Sequence, residues 1–153
     1  MKNIKISNYN SKYDKSFYEL NKSWIEEFWI LEDSDLKDLL NPRESIINLG
    51  GEIFFAVIDN LAVGTAAMIP SPHNKIELAK MTIQKEYRGK GLSKILLERC
   101  IEYAIISKAN EIFLISNSRL FSARKLYDKF GFKEVDLDSN KYKRGNYKMV
   151  LRL

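Results

Sequence analysis

The sequence contains a single cysteine, Cys100, together with three prolines among its 153 residues. One cysteine excludes an internal disulfide framework and a cysteine-rich metal site. No segment approaches the ~18 consecutive apolar residues of a membrane-spanning helix, and the first residues lack the long apolar block of a secretory signal. We therefore expect a soluble, cytoplasmic protein without a membrane partner, folded as one domain because its length lies in the common domain range.

An excess of charge of one sign is also missing. The chain has 25 basic and 20 acidic residues, a formal net charge of +5. A nucleic-acid binder usually concentrates its basic residues on one face or in a tail, whereas here the signs mix, so we expect no nucleic-acid partner. Two segments depart from the mixture: residues 26–38 are acidic and residues 85–94 are mostly basic. His73 has no second ligand at metal spacing, so no metal site is predicted.

Hydrophobic periodicity predicts helices and strands in alternation. Between residues 11 and 31, apolar residues recur at three- and four-residue steps, which is helical spacing. A second short helix is expected to end before Pro42. Strands are expected around residues 4–6, 53–58, 61–69, 75–84, 112–115, 132–137 and 147–153. Two further helices are expected, one starting at Gly91 and one over residues 118–130. Hairpins combined with βαβ steps indicate a mixed α/β (α+β) fold around one sheet.

A basic, glycine-rich turn joins the strand at 75–84 to the following helix. Its sequence is Tyr87-Arg88-Gly89-Lys90-Gly91. The first amides of a helix have no intrahelical partner and carry the positive end of the helix dipole, and glycine leaves them accessible to an anion. The turn therefore predicts a site for a phosphate or diphosphate. A Walker A loop is excluded because no lysine follows Gly91, and a Rossmann fingerprint because Lys94 replaces its third glycine.

Two segments carry a resemblance to a known family. Arg88, Gly91 and Ser93 form an Arg-x-x-Gly-x-small pattern, and residues 123–132 read Ala-Arg-Lys-Leu-Tyr-Asp-Lys-Phe-Gly-Phe. Through both, the chain resembles the GNAT family of acetyl-CoA-dependent N-acetyltransferases, whose last helix closes with A-x-x-L-Y-x-K-x-G-F. The strand over residues 77–83 and the preceding hairpin match the family in order and spacing.

The resemblance implies a mixed, mostly antiparallel sheet of six to seven strands flanked by about four helices, with a central strand leading into the diphosphate-binding turn and its helix. One domain would span residues 1–153, with variable acceptor-side helices in 1–49 and the cofactor-binding core in 50–153. Two positions depart from the family pattern. Ser93 replaces the usual glycine or alanine, and Leu120 stands where many members have asparagine.

Acetyl transfer to an amine requires that the amine lose a proton and that the departing thiolate gain one. By resemblance, Tyr127 would face the sulfur of coenzyme A and act as the acid, since a phenol remains protonated at pH 7. Glu77 would accept the amine proton, usually through water. Strand alternation is expected to place Glu77, Ala79, Met81 and Ile83 on one face.

The resemblance also implies how acetyl-CoA, the expected co-substrate, would bind. The backbone of the strand would pair with the pantetheine amides like an added strand, and the turn would hold the diphosphate. Asn117 would contact the pantetheine arm, and Arg124 an outer phosphate. The complete set of expected cofactor contacts is Met81, Thr82, Ile83, Arg88, Gly89, Lys90, Gly91, Leu92, Ser93, Lys94, Asn117 and Arg124.

The implied activity is acetyl transfer from acetyl-CoA to a primary amine by direct transfer in a ternary complex. The acidic segment 26–38 falls in the acceptor region and favours a cationic small-molecule amine or a lysine-rich peptide, although a solvated surface explains it equally well. The alternative, favoured by Leu120, is a non-catalytic acyl-CoA-binding or regulatory module with the same fold. A nucleic-acid-binding module, suggested by the net charge and the basic cluster 141–144, ranks third. A homodimer is compatible with the family.

Overall fold

The computed structural model describes residues 3–138 and 142–153, so Lys141 of the predicted basic cluster lies outside the described residues. Its centre is a seven-stranded sheet with the order β1-β2-β3-β4-β5-β7-β6. All neighbouring strands are antiparallel except β4 and β5. The strands are β1 (Ile4–Ser7), β2 (Glu52–Ile58), β3 (Leu61–Ser71), β4 (Lys75–Ile83), β5 (Glu111–Ser116), β6 (Lys133–Val135) and β7 (Tyr147–Arg152). The mixed, mostly antiparallel sheet expected from the resemblance is confirmed.

Helices cover both faces of the sheet. They are α1 (Asp14–Ile25), α2 (Asp33–Leu40), α3 (Leu92–Ile106) and α4 (Phe121–Lys129). The core on the α3 side includes Leu96, Cys100 and Tyr127, and a second core, on the α1 side, is built around Phe17 and Phe55. Because β2 and β3 are buried on both faces, their residues form nearly continuous apolar runs. Among the described residues, no helix combines the length and the apolar character needed to cross a bilayer.

Helix α1 is shorter than its hydrophobic spacing predicts. It ends at Ile25, whereas the apolar repeat continues to Leu31. A second helix begins soon after, because Glu32 and Asp35 form a capping box at the start of α2. The chain between the two helices, which includes Phe28 and Trp29, therefore forms a loop over one end of the sheet instead of continuing the helix.

A β-bulge interrupts β4. Thr65 pairs with Thr82 while Ala67 pairs with Ala79, so β4 has an extra residue at this point, and Lys80 adopts a left-handed backbone with φ of 55°. One extra residue reverses the alternation of side chains. The expectation that Glu77, Ala79, Met81 and Ile83 share a face is therefore wrong: Met81 and Ile83 pack on the α3 side, and Ala79 packs on the α1 side.

The parallel strands β4 and β5 separate before the bulge is reached. They pair over Lys75–Glu77 and Glu111–Phe113, yet β4 continues to Ile83 and β5 to Ser116. Helices α3 and α4 follow these two strands, so both helix starts lie at the end where the strands diverge. The carboxyl ends of adjacent parallel strands are a common place for ligand binding in α/β folds.

Candidate active site

A cavity of about 710 Å³ opens between the separated ends of β4 and β5. This volume lies within the range of small-molecule and cofactor sites. The floor is formed by residues 78–83 of β4 and 114–117 at the end of β5. One rim is the turn before α3, and another is an aromatic lip that consists of Trp24, Phe28 and Trp29. The cavity therefore contains, in one place, the segments that the sequence predicted to bind the cofactor and the acceptor.

The cofactor turn, residues 88–94, presents backbone donors to this cavity. The first intrahelical bond of α3 runs from the amide of Ile95 to the carbonyl of Gly91 at 3.3 Å, and no side chain caps the helix. The amides of Leu92, Ser93 and Lys94 therefore precede the hydrogen-bond ladder and lie at the positive end of the helix dipole. Of the seven predicted turn residues, all except Lys90 line the cavity.

Glycine is required in this turn by the backbone. Gly89 and Gly91 have φ values of 78° and 81°, a region that side chains other than glycine rarely adopt. A Cβ atom at either position would meet no heavy atom within 4 Å. The space beside these glycines is therefore open to a ligand, and the residues present fit the diphosphate of coenzyme A.

Arg88 connects the turn to two neighbouring segments through hydrogen bonds. Its Nε donates to the carbonyl of Ile83 at 3.0 Å, and its Nη2 donates to Glu27 at 3.1 Å. The first contact ties the turn to the end of β4, and the second ties it to the loop after α1. The side chain that the sequence assigned to the cofactor thus also positions the turn.

Met81, Thr82 and Ile83 all line the cavity, as the sequence predicted for the strand that would meet the pantetheine arm. They belong to the part of β4 that lies beyond its pairing with β5. An unpaired strand edge offers backbone donors and acceptors to an extended ligand.

Tyr127 reaches the cavity from α4. Its side chain is 7% exposed, and it lines the cavity. Burial raises the pKa of the Tyr127 phenol, and nearby Tyr147 and Cys100 raise it further. The hydroxyl therefore retains its proton at neutral pH, which a proton donor in this position requires.

Glu77 lies at the other side of β4. It is 5% exposed, precedes the bulge, and is not among the residues that line the cavity. Tyr142 does line the cavity, and its pKa is raised first by burial and next by the charge of Glu77. The bulge explains this position, because it separates the face of Glu77 from that of Met81 and Ile83.

An ion cluster that the sequence analysis missed borders the cavity. Arg144 donates to both oxygens of Asp35, at 2.7 and 2.8 Å, and Lys80 Nζ donates to the same carboxylate at 2.9 Å. Asp35 is fully buried. Burial raises its pKa, but the bonds from Arg144, Lys80 and the Glu32 backbone lower it more, so the net pKa lies well below its usual range.

The cluster connects three segments that are far apart in sequence. Asp35 is 45 residues from Lys80 and 109 residues from Arg144, and the left-handed Lys80 is also the residue of the bulge. The acidic segment showed that carboxylates were present, but no spacing rule relates them to Lys80 or Arg144.

Two further predicted cofactor residues have other contacts. Asn117 lines the cavity, but its Nδ2 donates to the carbonyl of Arg144 at 2.7 Å and its Oδ1 accepts from the amide of Arg119 at 2.9 Å. Arg124 is not a lining residue and instead pairs with Asp128 and Glu134. Leu120, at the position where asparagine is common, does line the cavity.

The remaining reactive side chains lie elsewhere. Cys100 is fully buried in the α3 core, and burial raises the pKa of its thiol, so it packs as an apolar residue. His73 lies in the exposed turn between β3 and β4. In the part of the chain that the structure describes, no group of three His, Cys, Asp or Glu side chains is arranged to hold a metal ion.

Comparisons with known proteins agree with this architecture. The model of the acetyltransferase (GNAT) family matches residues 13–132. An acetyltransferase of the GNAT family from Staphylococcus aureus Mu50 superposes with a TM-score of 0.90 at 27% identity, covering 98% of this chain and 99% of that one. The PaiA N-acetyltransferase from Thermoplasma acidophilum, solved in complex with coenzyme A, shares the fold with a TM-score of 0.74 at 20% identity, covering 99% of each chain.

A curated relative is similar over part of its length. N-acetylaspartate synthetase from Xenopus tropicalis is 34% identical over 100 residues, which are 64% of this chain and 37% of the relative. The chain thus spans little more than a third of the length of that relative.

Proposed function

Because this chain belongs to the GNAT family of acetyltransferases, we propose that it transfers an acetyl group from acetyl-CoA to a primary amine by direct attack in a ternary complex. The observation that carries the proposal is the coexistence, in one cavity, of an uncapped helix start after two left-handed glycines and a buried, protonated phenol. The first feature suits the diphosphate of the co-substrate, and the second suits a leaving thiolate.

Acetyl-CoA would supply the thioester. Residues 88–94 would hold its diphosphate through the amides of Leu92, Ser93 and Lys94, and the edge of β4 beyond the bulge would align the pantetheine arm. Fixing the thioester beside the amine converts an encounter of two molecules into a reaction within one complex, which lowers the entropic part of the barrier.

The protein's own groups would move two protons. Tyr127 would give its hydroxyl proton to the sulfur as the carbon–sulfur bond breaks. Glu77 would take the proton that the amine loses as the carbon–nitrogen bond forms. Because its carboxylate does not line the cavity, we propose that this proton reaches Glu77 through an intermediary on the side of Tyr142.

The acceptor is an amine in this proposal. The relative from Xenopus tropicalis is named for N-acetylaspartate, a product in which the acetyl group is on an amine nitrogen, and this supports amine acetylation here. A cytoplasmic location, a homodimer and the absence of nucleic-acid and membrane partners remain predictions from the sequence.

The test is release of free thiol from acetyl-CoA in the presence of amines, amino acids, polyamines and peptides. We expect release that depends on at least one of these amines, with formation of the N-acetyl product confirmed by mass spectrometry. A melting temperature that rises with acetyl-CoA, without transfer to any amine, would favour the alternative of a non-catalytic acyl-CoA-binding module.

A further inference from the structure

The side chains that line the cavity include more cations than carboxylates. Among those in the described part of the chain, Glu27 is the one carboxylate, whereas five are cations. The cations are Lys80, Arg88, Lys94, Arg119 and Arg144. A wall of this composition attracts an anion and repels a positively charged acceptor.

Four of the six carboxylates in the acidic segment are used in internal ion pairs, so they do not offset the cations of the cavity. Glu26 pairs with Lys22 at 3.2 Å and Glu27 with Arg88 at 3.1 Å. Glu32 pairs with Arg144 at 3.2 Å, and Asp35 belongs to the ion cluster. The structure therefore gives no support to the cationic acceptor that the sequence of residues 26–38 suggested.

The same pairs account for three of the five cations. Arg88 is paired with Glu27, and Lys80 and Arg144 are paired with Asp35. Lys94 belongs to the cofactor turn, whose proposed ligand is the diphosphate. Arg119 remains, and it lies on the opposite rim, after β5.

Arg119 is held by aromatic rings instead of by a carboxylate. Its guanidinium lies 4.7 Å from the ring centre of Phe28 and 5.8 Å from that of Trp29. Its own amide donates to Asn117 at 2.9 Å, which anchors the backbone of the residue. Within residues 3–138 and 142–153 its guanidinium has no ion pair, so its five donors are available to a ligand.

We infer that the acceptor is an amine that also carries a carboxylate, and that Arg119, stacked on Phe28 and Trp29, binds this carboxylate. The inference rests on the proposed function and specifies its acceptor. A guanidinium binds a carboxylate through two parallel hydrogen bonds. Stacking on aromatic rings restricts the Arg119 side chain before the ligand binds, so less conformational entropy is lost on binding. A phosphate of the cofactor offers similar chemistry, but the two left-handed glycines and the uncapped start of α3 that suit the diphosphate belong to the turn 88–94.

The experiment compares acceptors that differ in their carboxylates. β-Alanine and propylamine are amines of similar basicity of which only the first has a carboxylate, and L-aspartate and L-asparagine differ in one side-chain carboxylate. Spermidine and a lysine-rich peptide represent cationic acceptors. KM and kcat for each acceptor and for acetyl-CoA are measured in the full chain and in Arg119→Gln, Arg119→Lys and Arg43→Gln.

Arg43→Gln is the matched control, because Arg43 also lies over an aromatic ring, that of Tyr9 at 5.4 Å, but does not line the cavity. We expect the carboxylated amines to be preferred. We expect Arg119→Gln to raise their KM on the order of 10-fold without changing the KM for acetyl-CoA. Arg119→Lys should recover part of the loss, and Arg43→Gln should match the unaltered chain.

Two results would overturn the inference while leaving the proposed function intact. One is preferred acetylation of propylamine, spermidine or the peptide, and the other is an increase in the KM for acetyl-CoA alone in Arg119→Gln, which would assign Arg119 to a cofactor phosphate. Failure to acetylate any acceptor would instead contradict the proposed function, and the inference with it.

Discussion

The cofactor turn and the ion cluster border the same cavity, but they are assembled over very different distances along the chain. The turn uses seven consecutive residues, 88–94, and acts through its backbone: glycines at left-handed φ and amides at a helix start. The ion cluster joins Asp35, Lys80 and Arg144, with up to 109 residues between partners, and acts through side-chain charge. One side of the cavity is therefore a local structure, and the other exists only when the whole domain is folded.

This difference predicts different responses to mutation. A change at the glycines of the cofactor turn should affect ligand binding more than folding, because a Cβ at Gly89 or Gly91 would meet no heavy atom within 4 Å. A change in the ion cluster should affect folding first, because it removes a counter-charge from a buried ion. The following substitutions test that contrast, in order of decreasing effect.

The largest effect is expected for Asp35→Asn. Removing the carboxylate takes away the anion that buried Lys80 and Arg144 share, which should lower the free energy of unfolding by about 3–5 kcal/mol. Urea denaturation measures this change. Asp33→Asn is the matched control, since Asp33 is exposed on the same helix, and it should cost less than about 1 kcal/mol. Equal losses in the two variants would contradict a structural role of the cluster.

Acidic pH should lower the folding stability of the unaltered chain, because Asp35 becomes protonated. The pKa of Asp35 is lower in the folded state than in the unfolded chain. Its contribution is therefore fully present above about pH 4, the ordinary pKa range of aspartate, and is lost as the pH falls toward the folded-state pKa. Urea midpoints measured between neutral pH and acid should fall more steeply for the unaltered chain than for Asp35→Asn. Parallel curves would show that Asp35 does not couple folding to protons.

Tyr127→Phe should reduce kcat on the order of 100-fold, because the leaving thiolate loses its proton donor. The KM for acetyl-CoA should change little, since the ring remains in place. Tyr103→Phe is the control: its hydroxyl donates to the carbonyl of Gly50 at 2.7 Å, outside the cavity. A kcat of Tyr127→Phe equal to that of the control would exclude Tyr127 as the acid.

Glu77→Gln should slow acetyl transfer by about 10-fold at the acidic end of the pH profile. At low pH the largest fraction of the amine is protonated, so the reaction depends most on a base that removes the proton. The deficit should shrink as the pH rises and the amine loses its proton without help. Rates of both proteins across pH provide the measurement, and a deficit that is constant with pH would contradict the role of Glu77 as proton acceptor.

A smaller effect on folding than that of Asp35→Asn is expected for Gly91→Ala, which forces a side chain into a left-handed backbone at a cost of about 1–2 kcal/mol. Gly50→Ala is matched to it, because Gly50 has φ of 94° and also has open space around a Cβ. Both variants should lose similar stability in urea. The KM for acetyl-CoA should rise in Gly91→Ala alone, and an equal rise in Gly50→Ala would remove the turn from cofactor binding.

The contrast between the two sides also explains which features were predictable. The glycine turn, the helix after it and the segment with Tyr127 were placed correctly because glycine conformation and helix-start chemistry act over a few residues. The end of α1 at Ile25 was missed because the apolar residues beyond it, including Phe28, serve the aromatic lip and not another helical turn. The positions of Glu77 and Met81 relative to one another were predicted wrongly because strand alternation assumes a regular ladder, and the bulge at Lys80 is not marked by glycine.

From the sequence alone, local backbone requirements and hydrophobic spacing determined the mixed α/β fold, the family resemblance and the turn that precedes α3. Tertiary structure decided which charges meet: it paired four carboxylates of the acidic segment internally, buried Asp35 between Lys80 and Arg144, and left Arg119 on aromatic rings at the rim. The physical reason is the distance along the chain over which each property is determined. Backbone geometry and amphipathic spacing are properties of neighbouring residues, whereas the partner of a charge depends on how distant segments are packed together.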